Sequence, residues 1–178
     1  MPCKNAHRRN KPIVGRRGFT LAELLVLLLV LAITAMVVIP AAIDTTDSQA
    51  VSAARLLASD LQYAQNVAIT TQRPVYVTFN AATERYQLST PSEWNPNERV
   101  VLNHPITKAP YVIDFSTQRG FGRTNVVSAS FGGLAEVEFD ELGAPSSAGI
   151  VTLQAGSRVY RISVAAATGK VTVAEGSS

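Results

Sequence analysis

The stretch RRGFTLAELLVLLLVLAI, residues 16–33, carries two arginines and a glycine directly before an apolar run. The run continues to Ile39. As a helix, residues 19–39 would span about 31 Å at roughly 1.5 Å per residue. This length matches the hydrocarbon core of a bilayer, which is about 30 Å thick. The sequence therefore predicts a transmembrane helix over residues 19–40.

Charge is distributed unevenly along the chain. Six of the 16 basic residues and none of the 13 acidic residues lie before Phe19, so the remainder carries 10 − 13 = −3. The six are Lys4, Arg8, Arg9, Lys11, Arg16 and Arg17. Because basic residues beside a membrane helix stay cytoplasmic, we expect residues 1–18 to form a cytoplasmic leader and the rest to face the other side. The net negative charge of the residues after Gly18 argues against nucleic-acid binding as the main role of the protein.

Glu23 is an acidic residue inside the apolar run. A carboxylate in hydrocarbon costs about 2.5–3.5 kcal/mol, so a cationic partner is expected. No Lys or Arg follows within two helical turns, which leaves another chain or a new amino terminus as its source. A secretory signal peptide cut near Ala41 or Ala42 and a plain signal anchor stay open, but neither gives Glu23 a role.

The same segment resembles the processing site and anchor of type IV pilins and type II secretion pseudopilins. The resemblance implies cleavage by a prepilin peptidase between Gly18 and Phe19, followed by methylation of Phe19. It also implies that Glu23 attracts the terminal amine of a neighbouring subunit during assembly. Pro40 stands where pilin anchors often carry a proline, and it is expected to kink the helix because it removes a backbone hydrogen bond.

Residues 41–73 show a second helical pattern, in which apolar residues recur every three or four positions. These are Val51, Ala54, Leu57, Leu61, Ala64 and Ala68. Arg55, Asp60, Gln62 and Gln65 lie between them and supply the polar part of the pattern. We expect this amphipathic helix to pack its apolar stripe on the domain that follows.

Residues 74–178 change to short alternating segments separated by turns, which predict strands. The nine segments are 75–80, 85–90, 99–102, 111–115, 125–131, 135–140, 150–154, 158–165 and 170–174. No helical pattern separates them, so an antiparallel sheet or sandwich is expected. Ala155-Gly156-Ser157 and Thr168-Gly169 are predicted to be tight turns. The predicted class is α+β, a long N-terminal helix packed on an antiparallel β domain, as in pilins.

Residues 91–110 form the least regular part of the predicted domain. They include Trp94 and His104. Loops carry recognition more often than strands do, so Trp94 is either part of a protruding recognition loop or a lid over the core. His104 is expected to be a surface residue of the loop.

No catalytic motif and no paired-cysteine metal motif occurs in the sequence, so we expect neither an enzyme nor a cofactor. The single cysteine, Cys3, excludes a disulfide within the chain. Glu136, Glu138, Asp140 and Glu141 form a local acidic group. Alternation places Glu136 and Glu138 on the wet face of a strand, and calcium binding there is not favoured because the spacing differs from that of an EF-hand.

The C-terminal half resembles the GspH/FimT-like minor pseudopilins in FDELGAP (139–145), IVTLQAG (150–156) and RVYRISVAAATGKV (158–171). AARLLASDLQYAQNVAITTQRPVYVTF (53–79) is similar to the helix-to-strand segment of that group, and residues 91–130 stay unmatched. The resemblance implies a structural subunit of a type II secretion pseudopilus in the bacterial inner membrane, with a periplasmic domain. Its implied partners are other pseudopilins, the prepilin peptidase, the inner-membrane assembly platform and membrane lipid.

Two alternative functions stay open. The first is a FimT-like minor type IV pilin that acts in pilus assembly or DNA uptake, for which exposed cations would contact phosphates. The available cations are Arg119, Arg123, Arg158, Arg161 and Lys170. The second is an unrelated membrane-anchored enzyme or binding module, for which the cleavage-site match and Glu23 would be coincidences.

Overall fold

The computed structural model describes residues 18–42, 46–118 and 120–176. For residues 35–42, 46 and 47 it describes the backbone only. The chain divides between residues 43 and 44 into two compact units. In the first unit, helix α1 runs over Leu21–Ala42. No helix in the described part of the chain meets the length and apolarity needed to span a membrane.

The second unit opens with helix α2 (Thr46–Thr71). The helix ends because Gln72 takes a left-handed conformation, with φ 51°, and the Arg73 N–H bonds back to the Ala68 carbonyl at 3.3 Å. This is the hydrogen bond of a Schellman cap. Pro74 then prevents the helix from continuing. The cap turns the chain directly into the first strand.

The described part of the second unit contains strands in all nine places where the sequence predicted them, with ends shifted by at most two residues. They are β1 (Val75–Asn80), β2 (Arg85–Pro91), β3 (Arg99–Val101), β4 (Val112–Asp114), β5 (Thr124–Phe131), β6 (Glu136–Phe139), β7 (Gly149–Ala155), β8 (Arg158–Val164) and β9 (Val171–Gly176). The first sheet has the order β3-β2-β1-β6, with β4 also paired to β2, and the second has the order β5-β7-β8-β9. Every pairing among them is antiparallel, which confirms the predicted α+β class.

The core lies between α2 and the inner faces of the two sheets. Of the six stripe positions, Ala54, Leu57, Leu61, Ala64 and Ala68 are fully buried, whereas Val51 is half-buried. Their partners in the core include Val77, Leu88, Phe131, Val137, Phe139, Leu153 and Ile162. The predicted packing of the stripe on the β domain is confirmed.

Gln65 is a polar residue of α2 that fixes two turns at once. Its Nε2 donates to the carbonyls of Gly143 at 2.7 Å and Thr168 at 3.0 Å. Gly143 and Gly169 have φ angles of 81° and 63°, where glycine is favoured. A Cβ on Gly169 would lie 2.3 Å from Gln65 Nε2, so this turn needs glycine both for its conformation and for the close approach.

The substitution Gln65→Ala is expected to lower the free energy of unfolding by about 1–2 kcal/mol, because two carbonyls lose one shared donor. Denaturant unfolding of the full chain in detergent, followed by circular dichroism, measures the change. Gln62→Ala is the matched control, since Gln62 is an exposed glutamine of the same helix. Equal unfolding midpoints for the two variants would contradict the role assigned to Gln65.

Candidate assembly site

The predicted cleavage site lies immediately before α1. Gly18 and Phe19 have no regular structure, and Phe19 is 71% exposed. Thr20 begins the helix, because its Oγ1 accepts a hydrogen bond from the Glu23 N–H at 3.2 Å. The sequence Thr20-Leu21-Ala22-Glu23 has the spacing of a capping box, in which a Glu or Gln at the third helical position reaches back to the cap. The Gly18–Phe19 bond is therefore an accessible bond outside a capped helix.

Glu23 lies in the first turn of α1 and is exposed. No described residue forms an ion pair with it. The large apolar side chains of α1 from Leu21 to Ile33 are also exposed, on every side of the helix. The described part of α1 is thus an uncovered apolar surface with one carboxylate near its start.

Pro40 falls within α1, whose helical assignment continues for two residues beyond it. The kink at Pro40 stays a prediction. Residues 1–17, including Cys3, and residues 43–45 lie outside the described residues.

The cations of the DNA-uptake alternative occupy different parts of the second unit. The sheet register pairs Thr124 with Ala155 and Ala155 with Arg158, which places Arg123 and Arg158 at the same end of the second sheet. Arg158 forms an ion pair with Glu175. Arg161 is exposed on β8, and Lys170 lies at the other end of the sheet in the β8–β9 turn.

The register thus separates Lys170 from Arg123 and Arg158 by the length of a strand. Arg119 lies outside the described residues. The contact of these cations with DNA stays a prediction.

The acidic group on β6 is bonded to the protein itself. Glu136 accepts hydrogen bonds from Thr78 and Arg99, both at 2.7 Å, and the Tyr76 hydroxyl donates to Glu138 at 3.2 Å. The alternation predicted for β6 is confirmed, since Val137 and Phe139 are buried and both carboxylates are not.

Asp140 has a local role in the loop after β6. Its Oδ1 accepts from the N–H groups of Leu142 at 3.0 Å and Ala144 at 2.7 Å, and so it stabilises the turn that contains Gly143. Glu141 lies exposed in the same turn. Among the residues described, no group of three or more His, Cys, Asp or Glu side chains could hold a metal ion.

Asp60 is a buried polar residue that the sequence pattern did not single out. It is 5% exposed, and it accepts hydrogen bonds from the hydroxyls of Tyr86 at 2.6 Å and Tyr111 at 3.0 Å. Burial raises the pKa of Asp60, although the two hydroxyl donors act in the opposite direction. The sequence contained a signal, because position 60 falls between Leu57 and Ala64 on the same helical face. Asp60 thus ties α2 to β2 and to the residue preceding β4.

His104 is half-buried rather than a freely exposed loop residue. Its Nδ1 accepts from the N–H groups of Ile106 at 3.2 Å and Thr107 at 3.3 Å. Its ring lies 4.8 Å from that of Tyr111, measured between centroids. The residue therefore holds the loop together, which is a structural role.

Trp94 is 93% exposed, so the interpretation of this residue as a lid over the core is wrong. The core consists of residues from α2 and the two sheets, and Trp94 is not packed against it. The other interpretation, a residue of a protruding loop, agrees with its position between β2 and β3.

An apolar, capped N-terminal helix and a second helix packed on antiparallel sheets define a pilin-like protein. The family model described as type II transport protein GspH matches residues 53–168, more than half of the chain. The chain belongs to the GspH family, which confirms the resemblance to pilin-like minor pseudopilins. The match includes residues 91–130, to which the motifs quoted above do not extend.

Solved structures share the fold at low sequence identity. Two structures of the minor pseudopilin EpsH from the type 2 secretion system of Vibrio cholerae are 10% and 12% identical. They match 72% and 74% of this chain and 97% of theirs, with TM-scores of 0.54 and 0.55. The type IV minor pilin FimU of Pseudomonas aeruginosa is 17% identical over 73% of this chain and 91% of its own, with a TM-score of 0.49. No curated protein matches the chain by sequence.

Proposed function

We propose that this protein is a minor pseudopilin, a structural subunit of a type II secretion pseudopilus that acts in protein export. The observation that carries the proposal is membership of the GspH family, described by its role in type II transport. The shared fold of EpsH agrees with it. The role is structural rather than enzymatic, and its partners are other pseudopilins.

The N-terminal segment would supply maturation and anchoring. A prepilin peptidase would cut after Gly18 and Phe19 would be methylated, since this bond is exposed and lies outside the capped helix. Residues 19–40 would then anchor the chain in the bacterial inner membrane, with the leader cytoplasmic and the β domain periplasmic. This anchoring is proposed from the apolar run and the basic leader of the sequence.

Glu23 would act in assembly at the inner-membrane platform. Its carboxylate has no cation among the described residues, and the new amine at Phe19 of a neighbouring subunit would provide one. The apolar side chains that α1 leaves exposed would be covered by lipid before assembly and by other pilin helices afterwards.

Intact mass and N-terminal sequencing of the protein from its native membrane test this proposal. A chain that starts at Phe19 with an added methyl group is the expected result. A chain that starts near Ala41 or Ala42 would mean ordinary signal cleavage, and an uncut chain would mean a plain signal anchor. Either of these two results would remove the filament role.

The substitutions Glu23→Ala and Glu23→Gln are both expected to leave membrane insertion normal and to reduce incorporation into the filament at least about tenfold, a change of ~1.4 kcal/mol. Glutamine discriminates between helix capping and charge attraction as the role of Glu23, because it can accept the hydrogen bond of a capping box but carries no charge. The measurement is the ratio of the amount of chain in the sheared filament fraction to the amount in the membrane fraction.

Thr20→Ala serves as the matched control, since it removes the cap but keeps the carboxylate. Incorporation at the normal level for Glu23→Gln, with a loss for Thr20→Ala, would show that the segment needs a helix cap rather than a charge. That outcome would contradict the assembly role of Glu23.

A further inference from the structure

The loop between β2 and β3, residues 91–98, presents an aromatic side chain to solvent. Trp94 is the single tryptophan of the chain and is 93% exposed. Tryptophan is enriched among the residues that dominate protein–protein binding, because it brings a large apolar area with few rotatable bonds. Within the chain, this ring contributes nothing to the core.

The backbone of this loop is held by hydrogen bonds at both ends. The Ser92 N–H donates to the Glu98 carbonyl at 2.7 Å, and the Glu98 N–H donates to the Asn95 carbonyl at 2.9 Å. The Arg73 guanidinium donates to the Pro91 carbonyl, which joins the loop to the end of α2. The tryptophan is therefore presented by an ordered loop, so that little conformational entropy is lost when a partner binds it.

The surroundings of Trp94 are acidic. The loop contains Glu93 and Glu98, both exposed, and no basic residue. Glu93 directly precedes Trp94, and the bond from the Ser92 N–H to the Glu98 carbonyl brings Glu98 back to the start of the loop. Of the two cations that contact the loop or adjoin it in sequence, Arg73 lies 3.6 Å from Glu93, and Arg99 pairs with Glu136 and stacks on the Tyr76 ring.

A groove adjoins the loop where α2 ends. Pro74, Pro91 and Pro96 line it, together with Gln72, Ser92, the carboxylates of Glu93 and Glu141 and the guanidinium of Arg73. The loop is therefore an apolar projection beside a proline-lined groove, whose rim carries two carboxylates and one cation. A second copy of this chain meeting it through the same face would bring like charges together, which costs free energy.

We propose that residues 91–98 form a docking surface for a different protein, which presents an apolar pocket for Trp94 and Lys or Arg residues around it. The carboxylates of this surface attract a partner with a cationic rim. They repel a second copy of the same surface, which excludes a symmetric pair of this chain. The inference rests on the proposed function only for its setting, a filament in which the chain meets other proteins. The surface lies at the C-terminal end of α2.

In-cell photocrosslinking tests this surface with the full chain in its native bacterium. A photoreactive amino acid replaces Asn97, which is exposed and contributes only its backbone N–H to the loop. The expected result is one discrete adduct with a different protein, identified by mass spectrometry. Trp94→Ala in the same background should lower the adduct yield at least about tenfold, as expected for the loss of a central anchor.

Two variants make the comparison specific. Leu134→Ala is the control, because Leu134 is 68% exposed and its turn adjoins the far end of β1 through the bond from the Phe79 N–H to the Ala135 carbonyl. It should leave the yield unchanged. The double substitution Glu93→Gln with Glu98→Gln should lower the yield, since it removes the charge that complements the partner.

No adduct, an adduct only with a second copy of the chain, or a yield that Trp94→Ala does not change would overturn the docking surface. The N-terminus of the chain is determined in the same sample, so that the docking surface and the proposed function are tested independently. A chain that starts at Phe19 without an adduct would leave the proposed function intact, whereas an adduct on a chain that is not processed there would support the surface and count against the prepilin pathway.

Discussion

Asp60→Leu is expected to lower the free energy of unfolding by about 2–6 kcal/mol, because two buried hydroxyls lose their acceptor at about 1–3 kcal/mol each. Leucine has the same branched shape, with methyl groups in place of the carboxylate oxygens, so the substitution leaves no cavity and removes the hydrogen bonds of Tyr86 and Tyr111. Denaturant unfolding of the full chain in detergent, followed by circular dichroism, gives the value from the midpoint and the slope.

Asp60→Asn is the matched variant, since its amide can still bond both hydroxyls. It is expected to cost less than about 1.5 kcal/mol, the net value of one typical hydrogen bond. Equal losses for the leucine and asparagine variants would mean that the charge, and not the pair of hydroxyl bonds, stabilises this contact.

The asparagine variant also isolates the pH dependence of Asp60. Burial raises the pKa of the folded state above the ordinary value of 3.8, so the folded chain binds the proton more tightly than the unfolded chain does. This contribution to stability is fully present below pH 3.8 and is lost as the pH rises through the raised pKa. The stability of the wild type relative to Asp60→Asn should therefore fall over that window.

Gly149→Ala is expected to lower the free energy of unfolding by about 3 kcal/mol, the upper part of the usual range for overpacking. A Cβ at position 149 would lie 2.0 Å from Cδ1 of Phe131 and 2.5 Å from the Ser130 carbonyl oxygen. The Phe131 ring cannot move aside easily, because it is 2% exposed and stacks on Phe79 with centroids 5.8 Å apart. Calorimetric or denaturant unfolding measures the loss.

Gly122→Ala is the control for this substitution. A Cβ there would meet only the Ser116 carbonyl oxygen at 3.8 Å, and the residue has no positive φ. Its effect should stay within about 1 kcal/mol, because removing glycine freedom from the unfolded chain slightly favours the folded state. Phe131→Leu combined with Gly149→Ala should recover part of the loss, and a strictly additive double variant would contradict the clash.

The periodicity of the sequence predicted the helix of the second unit and all nine strands, because most of these elements bury one face and leave the other exposed to water. The order of the strands could not be predicted. Val77 pairs with Leu88 in the next strand and also with Val137, which lies 60 positions later. Alternation shows which side of a strand is apolar but carries no information on which strand lies beside it.

The functional residues, like the fold, could be predicted only in part from the sequence. Glu23 could be singled out because a charge in an apolar run is rare, and Gly18 and Phe19 because the segment resembles a prepilin processing site. Asp60 and Gln65 were grouped with the polar positions of α2, yet one is buried and the other donates to two turns. Their roles depend on Tyr111 and Thr168, which are distant in sequence. Trp94 had two interpretations because exposure depends on what packs nearby.

The packing of α2 has a consequence for biosynthesis. Besides β1, which follows it directly, this helix packs against β7, β8 and β9, which come last among the described strands. Residues 72–148 must be synthesised before these three strands, so the nascent protein carries an amphipathic helix without much of its cover during that time. Such exposed apolar segments are what chaperones bind and proteases cut. Synthesis of β7, β8 and β9 is thus the step that completes the cover of this helix, and a chain that stops before β8 would keep part of its apolar face exposed to chaperones and proteases.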